Sequence, residues 1–425
     1  MTETRDTRTS THPTPEAPGA YRVLTMATLG FTLMFAAWMM FGVLGISIQE
    51  EFGLTDVQLS LISSVAILNG SLWRLPAGII TDRIGGRIVM TVLLVLSAIF
   101  SFLVSLADSY SMLLGLAFAV GLAGNSFSVG TPWVAAWFSN KRNGFAMGVF
   151  GAGNVGASVT KFIGPVLIAA TTGSLYFGGV IEGGWRLIPV IYAGALLITA
   201  VLLWFLTPSQ DKRPGQGRKL SAMLEPLKEG RVWRFSLYYV AVFGAYVALS
   251  SWMPKYYIDM YGISTSTAAL LTALFIFPAS LMRPVGGSLS DRFGARQTTV
   301  FALVVMLIAS GILALPITIN IVVFTLFLFT LGVGMGIGKA SVFKYIPDYF
   351  PGNVGSVGGL VGMFGGLGGA FLPPLFAGVK DATGLDQATF LVIFVLVAFC
   401  LAWLLRAITL MKRTSPDPLW RRFGI

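Results

Sequence analysis

Long apolar segments alternate with short polar ones along almost the whole chain. After a polar start rich in Thr, Pro and charge, twelve apolar segments follow, each of about 20 residues or more, which is the length that a helix needs to cross a membrane. The sequence therefore predicts an all-α integral membrane protein. The predicted spans are 21–48, 58–80, 88–107, 111–138, 144–171, 185–207, 235–255, 265–287, 297–317, 320–345, 353–379 and 387–411.

One polar connection is much longer than the others and divides the spans into two sets of six. It covers residues 208–234 and is rich in Lys and Arg. The predicted organisation is a cytoplasmic tail (1–20), an N-terminal six-helix half (21–207), a cytoplasmic linker (208–234), a C-terminal six-helix half (235–411) and a second cytoplasmic tail (412–425).

The composition supports a membrane protein. Hydrophobic residues make up 55% of the chain and charged residues 11%, whereas soluble proteins carry about 25% charged residues. This disfavours soluble enzymes and nucleic-acid binders. The single cysteine, Cys400, excludes a disulfide framework, and the single histidine, His12, lies in the predicted tail. We therefore expect no metal centre and no cofactor.

The basic residues predict the orientation. Of 29 Lys and Arg residues, the large majority lie in the tails, in the loops on the linker side or at the helix ends there. The loops on the opposite side contain only Arg186, Lys255 and Lys380. Because basic residues stay on the cytoplasmic side, both termini and the linker are predicted to face the cytoplasm, in a protein of the cytoplasmic membrane.

The pattern G-x-x-x-D-R-x-G-x-R occurs at 78–87 and again at 287–296, directly after the second and the eighth predicted span. It resembles the signature loop of the major facilitator superfamily, in which two pseudo-symmetric six-helix halves enclose a substrate site near the membrane midplane. The resemblance covers about residues 21–411. It implies a gating or structural role for Asp82, Arg83, Arg87, Asp291, Arg292 and Arg296.

Four cations lie deep inside predicted spans, away from the helix ends, whereas all 18 acidic residues lie in tails, in loops or at helix ends. Arg74 and Arg283 each precede a motif aspartate by eight residues, or about 12 Å of helix, which predicts a position near the midplane. Buried charges are costly and commonly functional, although snorkelling or packing is an alternative. Arginines without a nearby carboxylate indicate a site for a small planar oxyanion.

Glycine-rich stretches occur in the fifth and eleventh spans, at 151–161 and 362–370. Alone they would indicate close helix packing. Together with the paired arginines they resemble the two nitrate signatures of the nitrate/nitrite porter family. The resemblance implies substrate binding by Arg74, Arg283, Asn154, Tyr239, Phe243, Gly153, Gly156, Gly366 and Gly368, although Tyr239 and Phe243 alone would be interpreted as core. It does not assign Asn125 and Phe127 of the fourth span.

The remaining deep cations, Lys161 and Lys339, are the proton-coupling candidates. In the absence of a deep acid or histidine, lysine is the deep side chain able to bind and release a proton. Lys161 is the first candidate because it shares a helix with Asn154, although both lysines are also placed where they could snorkel. The Thr160-Lys161 pair resembles the shorter, proton-coupled nitrate branch of the family.

The sequence therefore predicts secondary active transport of nitrate, with proton symport as the first choice. Nitrate/nitrite antiport and transport of another small anion stay open. A receptor is disfavoured because the linker is too short for a soluble domain, and an enzyme because no deep nucleophile or acid–base pair occurs. The expected partners are nitrate, nitrite, protons and the lipid bilayer, for a monomer that binds no nucleic acid.

Overall fold

The computed structural model describes residues 16–414, and almost all of them are helical. Helices satisfy their backbone hydrogen bonds within one segment, as a chain in lipid requires. In this part of the chain, eleven helical segments are long and apolar enough to cross a membrane. A twelfth crossing consists of two helices that meet at Trp73. The prediction of an all-α fold with twelve spans is confirmed, while residues 1–15, with His12, and 415–425 of the predicted tails lie outside the described residues.

The first six spans form the N-terminal half. Between spans 5 and 6, the strands Leu175–Tyr176 and Ile181–Glu182 form a short antiparallel pair. The helices are Ala20–Trp38 and Phe41–Phe52 (span 1), Asp56–Leu72 and Arg74–Ile84 (span 2), Gly86–Val104 (span 3), Tyr110–Val120, Gly121–Asn125 and Ser126–Trp137 (span 4), Asn143–Gly151, Ala152–Val155 and Gly156–Thr171 (span 5) and Leu187–Leu206 (span 6).

The last six spans form the C-terminal half. Span 7 begins at Gly230, inside the stretch predicted as linker, because Arg231 and Arg234 lower the hydropathy of its first turns. Two short helices, Leu220–Leu224 and Glu225–Lys228, precede it. The spans are Gly230–Tyr239, Val240–Gly244 and Ala245–Tyr261 (span 7), Thr265–Phe293 (span 8), Ala295–Leu313 (span 9), Ile321–Tyr349 (span 10), Val354–Thr383 (span 11) and Ala388–Thr414 (span 12).

Five spans depart from regular α-helix near their middle, among them span 1, whose two helices are separated by Met39 and Met40. The helix of span 2 is interrupted at Trp73, directly before Arg74. Span 4 contains a 3₁₀ turn at Gly121–Asn125 and span 5 another at Ala152–Val155. Span 7 contains a π-helical turn at Val240–Gly244. Such irregular turns are frequent at functional sites, and transporter binding sites are commonly formed by discontinuous spans.

The two halves are joined where the linker lies, a side of the molecule that we call the linker face. At the end of span 2, Asp82 accepts a hydrogen bond from Gly355 N of span 11, at 2.9 Å. At the end of span 8, Asp291 accepts from Gly144 N and Phe145 N of span 5, at 2.9 and 2.7 Å. Each carboxylate thereby satisfies free N–H groups, and the positive end of the dipole, at a helix start in the other half.

Three motif arginines contact the linker or a neighbouring helix, and Arg292 contacts the next residue of its own helix. Arg83 donates a hydrogen bond to Arg218 O of the linker at 2.9 Å. Arg87 Cζ lies 4.2 Å from the centre of the Trp204 ring of span 6. These contacts support a structural role at the linker face. The contacts are Arg83 to Arg218 O, Arg87 to Trp204, Arg292 to Phe293 and Arg296 to the Tyr349 hydroxyl.

The linker itself is bound to both halves. Asp211 Oδ1 accepts hydrogen bonds from Trp133 Nε1 and Trp137 Nε1 of span 4, at 2.9 and 3.1 Å. Further along, Arg218 donates to Asn353 Oδ1, directly before span 11, at 2.7 Å. The linker is therefore a strap across the two halves on this face.

Candidate functional site

The two predicted arginines lie at the centre of the molecule. Arg74 is the first residue of the second helix of span 2, and Arg283 lies in the long helix of span 8. Their exposed fractions are 0% and 1%. The snorkelling alternative therefore does not hold for either side chain, because neither guanidinium reaches the surface of the fold.

Arg74 is held firmly by backbone carbonyls. Its Nε donates to Gly70 O of its own span at 2.8 Å, and its Nη1 donates to Gly362 O of span 11 at 2.9 Å. The second bond crosses from the N-terminal to the C-terminal half. Nη2 has no hydrogen-bond partner among the described residues. Arg74 is thus fixed in place while its Nη2, an NH₂ group, stays unpaired among the described residues.

Arg283 is held much more loosely. Its Nη2 is 3.4 Å from the Tyr239 hydroxyl, whereas its Nε and Nη1 have no partner in the described part of the chain. Room for the guanidinium comes from Gly151 of span 5, since a Cβ there would overlap it. Unpaired buried donors carry a desolvation cost, so the site is prepared for an acceptor that it does not itself contain.

An aromatic group fills the space between the arginines. The Phe127 ring centre lies 5.9 Å from Arg74 Cζ and 5.0 Å from Arg283 Cζ. Tyr239 and Phe243 stack nearly parallel to this ring, at centroid distances of 6.2 and 6.4 Å. The three rings therefore form a nearly parallel group beside the two cations.

Phe127 is the site residue that sequence reasoning left unassigned. Its contacts with both arginines place it closer to the centre than several residues implied by the resemblance. One phenylalanine among 32 carries no mark of its own in the sequence. The available signal was its position in span 4 two residues after Asn125, at the 3₁₀ turn, and only the fold gives that position a meaning.

The four predicted glycines have different roles. Gly366 lies at the site, since a Cβ there would be 3.5 Å from Arg74 Cζ. By the same test, Gly153 and Gly156 face span 1 and Gly368 faces span 7. These three allow close packing of helices and do not touch either arginine.

Asn154 is fully buried in the 3₁₀ turn of span 5. This turn packs against span 8, which carries Arg283. Neither the amide nitrogen nor the amide oxygen of Asn154 has a hydrogen-bond partner among the described residues. A buried amide without partners is costly, so Asn154 is a further donor available to a ligand.

The two lysines lie in different surroundings. Lys339 of span 10 is fully buried, and its Nζ lies 3.4 Å from the centre of the Tyr246 ring, with no hydrogen-bond partner within the described residues. Its snorkelling alternative is therefore wrong. Lys161 is partly exposed, and its Nζ donates to Ser250 O of span 7 at 3.3 Å. The structure thus brings Lys339 to the central aromatic group and leaves Lys161 at its edge.

The central charge is strongly positive. Arg74, Arg283 and Lys339 are all buried, and the only fully buried carboxylate among the side chains that the structure describes is Asp82, at the linker face. Buried cations without an acid favour an anionic ligand. In the described ranges, no group of three or more His, Cys, Asp or Glu residues could hold a metal ion.

Comparison with known proteins agrees with the fold described above. The profile of the Major Facilitator Superfamily matches residues 26–373 and 261–422. A fucose:proton symporter of E. coli, FucP, has a TM-score of 0.72 at 18% identity, covering 91% of this chain and 98% of that one. The human organic anion transporter MFSD10 has a TM-score of 0.70 at 18% identity, covering 91% and 100%. At this identity the likeness concerns the fold alone.

Closer relatives are named as nitrate or nitrite transporters. A probable nitrate/nitrite antiporter of Thermus thermophilus, NarK1, is 61% identical over 92% of both chains. A probable nitrate transporter of Staphylococcus epidermidis, NarT, is 33% identical over 92% of this chain and 96% of its own. The nitrite extrusion protein of Bacillus subtilis is 30% identical, over 85% and 88%.

Proposed function

The chain belongs to the major facilitator superfamily and to its nitrate/nitrite porter family, and we propose that it carries nitrate, and also nitrite, across the membrane by alternating access. One observation carries the proposal. Two buried guanidinium groups flank a group of nearly parallel aromatic rings, and three of their nitrogen atoms have no partner in the described structure. The names of the relatives support the same substrates.

The chemistry of the site suits a planar anion of three or two oxygens. Arg74 Nη2 and the Nε and Nη1 of Arg283 offer N–H groups without a partner in the described part of the chain. Charged hydrogen bonds of this kind are short and strong. We infer that the flat faces of Phe127, Tyr239 and Phe243 lie against the ligand and favour a flat ion over a tetrahedral one.

The contacts at the linker face act as the gate. Asp82 to Gly355 N and Asp291 to Gly144 N join the halves on this side. Release on this face requires both contacts to break, and with them the bond from Arg74 Nη1 to Gly362 O, which also joins the halves. Nitrate neutralises part of the central positive charge, so that the loaded site tolerates rearrangement better than the empty one.

The proposed coupling is proton symport through Lys339. Two arginines and a charged lysine repel one another when the site is empty, which favours loss of a proton, and a bound anion favours its return. Binding of anion and proton then reinforce each other. Lys339 takes precedence over Lys161 because it is buried against Tyr246 and makes no hydrogen bond to a described residue.

Nitrate/nitrite exchange is the second candidate, and the name of the Thermus relative favours it. Uptake into proteoliposomes distinguishes the two if the pH gradient and the internal nitrite are varied independently, with Arg74→Lys as the inactive control. Symport predicts accumulation driven by an inward proton gradient without internal nitrite. Uptake that ignores pH and requires internal nitrite would establish exchange instead.

We further propose that the protein acts as a monomer in the cytoplasmic membrane, with the linker face toward the cytoplasm. The excess of basic residues on this side supports the orientation. Single cysteines at Arg213 and Lys219, both exposed, are to be introduced in a Cys400→Ala background, where the buried native thiol is removed. We expect labelling by a membrane-impermeant maleimide only after the cells are opened. Labelling in intact cells would reverse the orientation.

A further inference from the structure

A second concentration of positive charge lies away from the central site, between the start of span 7 and the end of span 12. A cavity of about 510 Å³ opens there on the linker face. Arg231 and Arg234 line it from span 7, and Arg406 lines it from span 12, beside Trp403. No part of the proposed transport mechanism uses these residues.

The three guanidinium groups are barely neutralised. Arg231 Nε lies 3.7 Å from Glu229 Oε2, but both side chains are about half exposed, and exposed pairs of this kind contribute little. Arg234 and Arg406 form no ion pair with any carboxylate that the structure describes. The described residues that line the cavity include no acidic residue. The positive charge of the cavity is therefore suited to an anion that is not part of the protein.

An apolar stripe continues from the cavity along span 12. Phe399, Trp403 and Leu410 are exposed to 57%, 36% and 50%. Their spacing of four and seven residues puts them on one face of the helix, together with Arg406. In the membrane this outer face contacts acyl chains. The cationic cavity and the apolar stripe together match a molecule that has an anionic headgroup and a hydrocarbon tail.

We propose that this cavity binds the headgroup of an anionic phospholipid from the leaflet at the linker face. The phosphodiester pairs with Arg231, Arg234 and Arg406, and an acyl chain lies along Phe399 and Trp403. Basic pockets between membrane helices are suited to anionic headgroups. One arginine can donate two parallel hydrogen bonds to two oxygens of the same phosphate. A free phosphate ion would use the same charges but would gain nothing from the apolar stripe.

The test uses the purified full chain. The variant Arg231→Gln/Arg234→Gln/Arg406→Gln is compared with Arg213→Gln/Lys219→Gln/Lys228→Gln, which removes the same charge from exposed positions of the linker. Bound lipid is measured by native mass spectrometry after incubation with phosphatidylglycerol or phosphatidylethanolamine. We expect the first variant to lose at least about tenfold in bound phosphatidylglycerol, and the control to bind it as the unmodified protein does.

Thermal unfolding distinguishes a lipid from a free ion. Phosphatidylglycerol should raise the melting temperature of the unmodified protein, and inorganic phosphate at the same concentration should not. Equal stabilisation by both, or equal loss of lipid in the two variants, would overturn the proposal. If the triple variant does not fold, Trp403→Ala and the single change Arg406→Gln serve instead, and unchanged lipid binding in both would overturn it equally.

Discussion

The two central arginines occupy equivalent positions in the two halves but are held in different ways. Arg74 donates two hydrogen bonds to backbone carbonyls, one of them in the opposite half. Arg283 makes one hydrogen bond among the described residues, at 3.4 Å, to a tyrosine hydroxyl. The repeat therefore sets where each cation lies, while the neighbouring helices set how free it is to move.

This difference suggests a division of roles. Arg74 is part of the closed contact between the halves, so its position reports whether the linker face is closed. Arg283 has Gly151 beside it and two nitrogens unpaired among the described residues, and in the proposed mechanism it is the arginine that follows the anion. The lysines of the two halves also differ, but in burial: Lys339 of the C-terminal half is fully buried, whereas Lys161 of the N-terminal half is partly exposed.

Replacing either arginine by lysine should have the largest effect. Lysine keeps the charge but loses the planar fork, and a lost charged hydrogen bond costs about 1.5–3 kcal/mol, so nitrate uptake should fall about 100-fold in Arg74→Lys and in Arg283→Lys. Only Arg74→Lys should also lower the melting temperature, because Gly70 O and Gly362 O lose their donor. Near-normal uptake in one variant would remove that arginine from the site.

Adding a methyl group beside each arginine should have the next largest effect. In Gly151→Ala the new Cβ overlaps the Arg283 guanidinium, whereas in Gly362→Ala the nearest Arg74 atom is 3.5 Å away, an ordinary contact. We expect the KM for nitrate to rise about tenfold in the first variant and about twofold in the second. Equal values in both would show that the two arginines are equally restrained.

The lysines should separate coupling from binding. Lys339→Gln should lose the acceleration of nitrate uptake by an inward proton gradient, while nitrate still protects the protein against thermal unfolding. Lys161→Gln should retain the acceleration, because Lys161 is partly exposed and its Nζ donates to a backbone carbonyl, Ser250 O of span 7. If Lys161→Gln alone loses the pH response, or if both variants keep it, coupling through Lys339 is wrong.

The smallest effect is expected at the gate. Asp291 accepts two backbone N–H groups and also lies 3.0 Å from Lys344 Nζ, whereas Asp82 accepts one backbone N–H group of the other half. Relative to the unmodified protein, the population open at the linker face should therefore rise about threefold in Asp291→Asn and about twofold in Asp82→Asn. Changes of this size are expected for the loss of one helix-capping interaction. The labelling rate of single cysteines placed on that face measures the opening. A larger increase in Asp82→Asn than in Asp291→Asn would contradict the proposed gate.

The sequence alone predicted the twelve spans, the repeat and the depth of Arg74 and Arg283, because charge, hydropathy and spacing report these directly. It did not predict the place of Phe127 or the role of Gly151. Both depend on which helix faces which across the two halves, and such long-range contacts leave no local pattern. The start of span 7 was missed because Arg231 gives its first turn the composition of a linker.

The strap formed by the linker has a consequence for where the chain can be divided. Asp211 follows span 6, yet it accepts hydrogen bonds from Trp133 and Trp137 of span 4 and from the backbone N–H of Arg87 at the start of span 3. A fragment that stops at the last helical residue of span 6 leaves these donors unpaired. During synthesis, the first half is therefore complete only once Asp211 has left the ribosome, and two co-expressed halves should be separated after Asp211 and before Arg218.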